Sequence, residues 1–327
     1  MLSLRRGTVT AIAERHDGFV RLEVDGRACV AYPDLTGPVA LGDDVLVNVQ
    51  AVELGLGSGG FDVLHANLTR GLDLAPESGA HVMKLPYTSL QHAVVHAEER
   101  ADGEGRLAGM PVVCCSLHSQ LAPVCAALGR DVAVAYVQVP GGALPLALSD
   151  TVRTLRAEGY LRTTVGVGPC FGGDSACVST ASALLACAGA GMDAVVCSVG
   201  PGLVGTGSRY GHGGLAAADA ANAAGALGGS PVLAARVSDA DPRGRHRGLS
   251  HHTLAAAELV TGAVAVAWPV ELELPLEPPD LEAVDASGWR EACAGLPLSH
   301  MGRGPDEDPA FFAAAYAAGV LARSRVP

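Results

Sequence analysis

The chain has 327 residues, 49% of them hydrophobic and only 17% charged, which is enough for two domains or one large one with a sizeable core. Its formal net charge of −12 argues against a general nucleic-acid binder, because a basic surface supplies most non-specific affinity for polyanions. The most apolar stretches, such as 176–191, are broken by Ser and Gly and fall short of a membrane span.

Aromatic residues are scarce, while alanine, glycine and valine dominate, a composition suited to a parallel sheet packed on small-residue helices. The nine cysteines are odd in number and form no CxxC, and most sit in apolar runs. They read as reduced, buried thiols of a cytoplasmic protein. The start, MLSLRRGTVT, shows no long apolar region after its charges, so no signal peptide is expected. Lys84 is the single lysine against 21 arginines. A lone lysine in so arginine-biased a chain is either a survivor on the surface or a group needed as an ammonium.

In chain order, residues 7–13, 19–24, 28–32 and 44–52 are short β-rich runs separated by turn signals such as Asp25-Gly26 and Leu41-Gly42-Asp43. They predict a small β-barrel of SH3-like or OB-like size. The glycines at 55, 57, 59 and 60 read as a structural loop, since no clear helix follows them to make a phosphate cradle. Residues 81–99 read as strands around Pro86. The polar, Gly-rich stretch 101–109 is the best boundary, giving an all-β region over 1–104 and an α/β domain over 105–327.

From Pro111 apolar strand candidates alternate with helical stretches: 112–117 then 121–128, 132–139 then 149–158, 163–167 then 175–190, 194–199 then 215–227, 232–237 then 251–261, and finally 263–272. Six strands in such alternation predict an open, mostly parallel, doubly wound Rossmann-like sheet. The Pro-rich stretch 268–281 is expected to leave the sheet, and 311–324 reads as a terminal helix.

Polar and glycine-rich loops stand at the strand ends. They carry His118; Gly141 and Gly142; Cys170, Gly172, Gly173 and Asp174; the run GPGLVGTGSRYGHGG at 200–214; and then residues 238–252. In a parallel sheet the C-terminal strand ends share one edge, so these loops are expected to line one cleft. Gly200, Gly202 and Gly205 match G-x-G-x-x-G, but the helix opens about ten residues later and no acidic residue follows at dinucleotide spacing. NAD or FAD is therefore not expected; a glycine-lined anion loop aided by Thr206 and Ser208, or a long structural loop, fits better. Asp174 reads either as the N-cap of a helix from 175 or as a carboxylate of the site, and Cys170 as a possible thiolate near that helix start.

The densest chemistry is in PVLAARVSDADPRGRHRGLSHHTLAA, residues 231–256. An apolar strand runs into Asp239 and Asp241, then Arg243, Arg245, His246 and Arg247, and then Ser250, a good N-cap for a helix opening with His251 and His252. Five of the eleven histidines, His118, His212, His246, His251 and His252, fall in the strand-end loops. Histidine with aspartate suits zinc, manganese or iron, although no HExxH or HxH spacing occurs. The rival use is His246, His251 and His252 as acid/base groups beside an anion clamped by Arg245 and Arg247. Asp174 and Asp239 would then be the carboxylate partners, with Lys84 reaching in from the β region. A salt-bridged structural loop is the bland alternative.

The motifs LGLGSGGFDVLHANL, HVMKLPYTSLQ, LHSQLAP, GGALPLALSD, GPCFGGDSACV, GPGLVGTGSRYGHGG and RGRHRGLSHHT together resemble an uncharacterised bacterial family, the domain of unknown function numbered 3866. The resemblance spans nearly the whole chain. It implies a bacterial origin and a single unit made of both regions, and it carries over no catalytic residue. The residues themselves favour an enzyme acting on a small phosphorylated or nucleotide-like metabolite. A non-catalytic ligand-binding regulator or an assembly protein are the alternatives. The expected partners are a small anionic ligand and further copies of the chain in a homo-oligomer, with neither nucleic acid nor membrane.

Overall fold

The computed structural model describes residues 2–56, 59–70, 74–99, 105–273 and 281–326. The chain forms two compact units, Met1–Val95 and His96–Pro327. The boundary expected at 104/105 falls outside the described residues. Residues 81–99 are divided between the units.

In the first unit, β1 (Leu4–His16), β2 (Phe19–Val24), β3 (Arg27–Ala31), β4 (Asp44–Asn48) and β5 (Asp62–Asn67) close into a barrel in the order β1-β2-β3-β5-β4. β1 serves both neighbours, pairing with β4 through Leu4 to Thr8 and with β2 from Val9 onward, and its irregularities after Val9 and Ile12 bend it between them. Alternate residues, among them Val20, Leu22, Val24, Val45 and Val47, fill the interior. The β2–β3 turn is Asp25-Gly26, with φ of 51° and 72°; two successive positive φ values are what a tight hairpin of this twist requires. Two single-turn helices, α1 (Pro33–Thr36) and α2 (Gln50–Glu53), interrupt the barrel connections. β6 (Val82–Lys84) and β7 (His92–Val94) form a separate antiparallel pair, which matches the expectation of strands around Pro86.

The second unit holds an eight-stranded parallel sheet. Its strands are β8 (Pro111–Cys115), β9 (Val134–Val139), β10 (Thr163–Val167), β11 (Ser175–Cys177), β12 (Ala194–Val199), β13 (Ser230–Ala234), and, beyond a small antiparallel pair, β14 (Val237–Ser238) with β15 (Gly248–Leu249), the strands β16 (Ala265–Pro269) and β17 (Leu281–Val284). The sheet order is β11-β10-β9-β12-β8-β13-β16-β17. The central strands are buried on both faces and read as unbroken apolar runs. The Rossmann-like expectation holds, with two more strands than the alternation indicated.

Both extra strands are at the sheet edges. Residues 175–190 are not one helix: the chain turns at Gly168 and Gly172, both at positive φ, and runs back as β11 parallel to β10. The helix α5 (Thr180–Gly189) starts later, where Ser179 and Ser182 cap each other's backbone N–H. Residues 268–281 do not simply leave the sheet, since β17 pairs in parallel with β16; residues 274–280 of that stretch lie outside the described ones.

Helices cover both faces. α3 (Leu121–Leu128), α4 (Asp150–Ala157) and most of α9 (Pro309–Arg323) pack one apolar layer; α5, α6 (Ala216–Ala226) and α7 (His251–Leu259) are on the other face. The short α8 (Trp289–Ala292) precedes α9, and Trp289 stacks on Phe312. Alanine allows the close fit: α6 buries Ala217, Ala220, Ala221 and Ala224. At the crossing of α9 over α3, a Cβ on Gly319 would come within 2.4 Å of the Val124 carbonyl oxygen. The connection leaving β8 packs on one face and those leaving β12 and β13 on the other, although these strands are neighbours. Such a switch opens a crevice beyond the C-terminal strand ends, where ligands of open α/β sheets bind.

Candidate functional site

Four histidines meet beyond β12 and β13. His212 comes from the loop between β12 and α6, His246 from a single 3-10 turn, and His251 and His252 from the first turn of α7. The ring centroids of His212 and His252 are stacked 3.7 Å apart; His246 lies 4.8 Å from both His251 and His252, and His212 meets His251 edge-on at 5.4 Å.

The local sequence enforces this meeting. The β14–β15 pair folds the segment 239–247 back on itself. The Ser250 hydroxyl caps α7 by accepting from the His252 backbone N–H at 3.2 Å, and it lies 2.8 Å from His246 Nδ1. The loops at 140–143 and 200–214 are knitted by backbone bonds, Ala143 N–H donating to the Pro201 carbonyl and Val204 N–H to the Gly141 carbonyl. Only glycine permits this approach: a Cβ on Gly213 would be 2.0 Å from the Gly141 oxygen and one on Gly200 2.1 Å from the Ala143 oxygen. Residues 205–212 form a small hairpin whose bridge, Gly205 to His212, sets His212 at its base.

Partners fix two tautomers. A carbonyl only accepts, so the 3.1 Å contact of His212 Nε2 with the Arg209 oxygen puts the proton on Nε2 and leaves Nδ1 as a lone pair. A guanidinium only donates, so Arg236 Nη1, 3.0 Å from His252 Nδ1, makes that nitrogen the acceptor. His212 Nδ1 and His251 Nε2 are buried without a partner. His212, His251 and His252 offer nitrogens that all lie within 4.8 Å of one another, so they are the residues suited to hold a metal.

Beside the imidazoles runs a buried ionic network. Arg236, 2% exposed, reaches Asp241 Oδ2 at 3.4 Å. Asp241 also accepts from the backbone N–H, Nε and Nη2 of Arg243, and Arg303 stands 3.7 Å away. Arg303 Nε and the Ser238 hydroxyl both donate to Asp308. His300 stacks on Phe311 at 3.7 Å, and its Nδ1 is 3.2 Å from the Ser119 hydroxyl oxygen. The hydrogen bonds of Arg243 hold the Asp241 carboxyl well below the usual range. Burial, reinforced by Arg236, pushes His246 and His300 down to about 3 and His252 to about 2, and burial lowers His212 and His251 as well. Burial also lowers Arg236 to about 10, which leaves it a cation at neutral pH. The imidazoles are therefore neutral, and three guanidinium groups face two carboxylates. Of the ten buried side-chain polar atoms without a partner among the described residues, six are here: His212 Nδ1, Arg236 Nε, His251 Nε2, His300 Nε2, Arg303 Nη2 and Asp308 Oδ1. Native interiors rarely leave such groups unmet, so ordered water, an ion or a ligand is expected to meet them.

Of the residues predicted from the sequence, His246, His251 and His252 are brought together, with Arg245 and Arg247 exposed on the same loop. Asp239 is exposed, and the buried carboxylate is Asp241 instead. Asp174 does not join them, nor does it cap a helix. A parallel strand must begin at the N-terminal edge, and Asp174 immediately precedes β11 there, accepting from the Thr164 backbone N–H at 2.8 Å and paired with Arg156. Gly173 approaches the Thr164 oxygen in the same turn, after Gly172. Cys170 is wholly buried in the core, with β11 and not a helix following it. His118 lies at the end of β8; its Nδ1 donates to the Val199 carbonyl and its Nε2 accepts from the Ser149 hydroxyl at 2.6 Å. Gly202 and Gly205 lie in the loop that delivers His212, with Thr206 and Ser208 exposed in its hairpin and bonded to each other at 2.8 Å. Lys84 is buried in the first unit, whereas every member of the cluster is in the second.

Arg236, Asp241 as the buried partner, and the group His300, Arg303 and Asp308 are not among the site residues predicted from the sequence. Arg236 had a signal: it interrupts an apolar run where a buried strand ends, and a charge in such a place is paired or functional. The 300–308 segment had none, because only the tertiary fold brings it to β13.

The family model described as Protein of unknown function (DUF3866) matches residues 27–319. No curated protein matches the chain.

Proposed function

The chain belongs to this family of unknown function, and from the chemistry of its site we propose that it is an enzyme acting on a small phosphorylated or nucleotide-like metabolite at the C-terminal strand ends. One observation carries the reading: unmet donors and unmet lone pairs are buried side by side. Arg236 Nε and Arg303 Nη2 are cationic donors without a hydrogen-bond acceptor, Arg303 Nη2 standing 3.7 Å from Asp241 Oδ2, and His212 Nδ1 and His251 Nε2 are imidazole nitrogens without a hydrogen-bond partner. Guanidinium groups match phosphate or carboxylate oxygens, while a neutral imidazole is ready to take a proton. The excess of one positive charge over Asp241 and Asp308 favours an anion. Arg245, within reach of the 205–212 hairpin at Gly207, is placed to steer that anion inward.

The test is a calorimetric binding screen of nucleotides and sugar phosphates. Arg245→Ala changes an exposed side chain, so its stability should stay within about 0.5 kcal/mol of wild type, while affinity for any hit falls at least about tenfold. Absence of binding across the panel, or wild-type affinity in both Arg245→Ala and His251→Gln, would sink the reading.

A further inference from the structure

We infer that His212 Nδ1 and His251 Nε2 are ligands of a divalent transition-metal ion, with His252 as the third nitrogen. The inference rests on the reading above for the anion and gives the two free imidazole lone pairs a different task, metal ligation in place of proton acceptance. The two leading ligands are the imidazole nitrogens of the cluster that have no partner and no contact with water. His212 also has the support expected of a metal ligand, since its other ring N–H is fixed by the Arg209 backbone carbonyl. His212 and His251 stand edge to face, an arrangement that lets two ring planes aim at one point. The three residues come from two rigid sources, the base of a hairpin and the first turn of a helix capped by Ser250.

Tetrahedral coordination with metal–nitrogen bonds near 2.1 Å needs nitrogens roughly 3.4 Å apart. The present separations, up to 4.8 Å, are longer, and the stacked rings of His212 and His252 must turn out of parallel for both nitrogens to face one ion. All three ligands are neutral imidazoles, a set suited to zinc, copper, nickel or cobalt and not to magnesium or calcium.

His252 carries a further consequence. A neutral imidazole has one lone pair, and Arg236 Nη1 already occupies that of His252 at Nδ1. Ligation through Nδ1 displaces Arg236 directly. Ligation through Nε2 moves the ring proton to Nδ1, where it repels the guanidinium. Metal and Arg236 therefore compete for His252, and a released Arg236 turns its donors to an anion bound at the metal. Anion and metal are thus expected to bind cooperatively.

The experiment uses the full chain, stripped with chelator and titrated with Co2+, followed by its visible absorption and by calorimetry, with and without inorganic phosphate. One equivalent should bind. His212→Gln and His251→Gln, each checked for native circular dichroism, should each weaken binding by roughly 100-fold or more. Arg236→Met should tighten it by roughly tenfold, the lower end of what a competing charged hydrogen bond contributes, an effect in the opposite direction from mere loss of structure. Phosphate should tighten Co2+ binding to the wild type and not to Arg236→Met. Failure to bind a stoichiometric ion, undiminished binding in both histidine variants, or weaker binding in a folded Arg236→Met would overturn the metal site. Phosphate binding without cobalt binding would overturn it too while leaving the anion reading intact; cobalt binding without any phosphate effect would uphold the metal site and overturn its coupling to the anion.

Discussion

Arg236 is the residue on which the site's electrostatics turn. It closes an apolar strand, and its guanidinium bridges a neutral imidazole and a carboxylate that is entirely buried. Breaking a buried ion pair from one side leaves an uncompensated charge, typically at a cost of about 3–5 kcal/mol. Asp241→Asn should therefore destabilise the protein by an amount of that order, read as a lower midpoint in denaturant. Asp239→Asn, two residues earlier and exposed, should be neutral. A neutral Asp241→Asn would show that Arg236 is satisfied by His252 alone. The contrast also shows how far residues could be read in advance. The density of His246, His251 and His252 behind a capping serine marked the right loop. The choice between Asp239 and Asp241 depends on the turn after β14, where the Asp241 backbone N–H donates to the Ser238 hydroxyl, and such a turn leaves no trace in composition.

At the scale of elements, the histidines are positioned by a cap and by glycines that bring two backbones together. Ser250→Ala removes the acceptor for the His252 N–H and the partner of His246 Nδ1. Loss of the cap costs about 1 kcal/mol, and the variant should also lose ligand or metal affinity, because the first turn of α7 frays where His251 and His252 stand. Affinity unchanged alongside the stability loss would separate the cap from the site. Gly213→Ala forces the 200–214 loop away from Gly141 and should impair His212 more than the sheet, so that binding falls further than the melting temperature. The sheet itself was legible because apolar runs of strand length alternate with helical ones. β11 was not: a three-residue strand reached through a short turn has no periodicity of its own, and its alanine and cysteine merge with the helix that follows. Asp174 went to the wrong edge of the sheet with it.

At the scale of the whole molecule, the histidines couple stability to pH. His118 is lowered to about 4, His246 and His300 to about 3 and His252 to about 2, all by burial, from an ordinary value of 6.5. Between those values and 6.5 the unfolded chain binds more protons than the folded one, so their contribution is complete above about pH 6.5 and declines as pH falls. The depressed Asp241 carboxyl adds to the loss once the pH drops below the usual carboxylate range. Denaturant midpoints should thus fall steadily from pH 7 to pH 4.5, and a flat profile would mean that the imidazoles are accessible to protons in the native state. The cluster lies wholly within His96–Pro327. No helix among the described residues is long and apolar enough to cross a membrane.

All nine cysteines are buried, Cys29 in the barrel and the other eight in the second unit. Burial pushes the thiols of Cys29, Cys187 and Cys293 up to about 12, so the nucleophilic thiolate is scarce as well as shielded. The native molecule is accordingly expected to be silent to thiol reagents, which makes each cysteine a clock for the opening of its own neighbourhood. Pulsed alkylation read by mass spectrometry would time the barrel through Cys29, the sheet centre through Cys114 and Cys197, and the layer beneath α9 through Cys125, without introducing a single foreign probe.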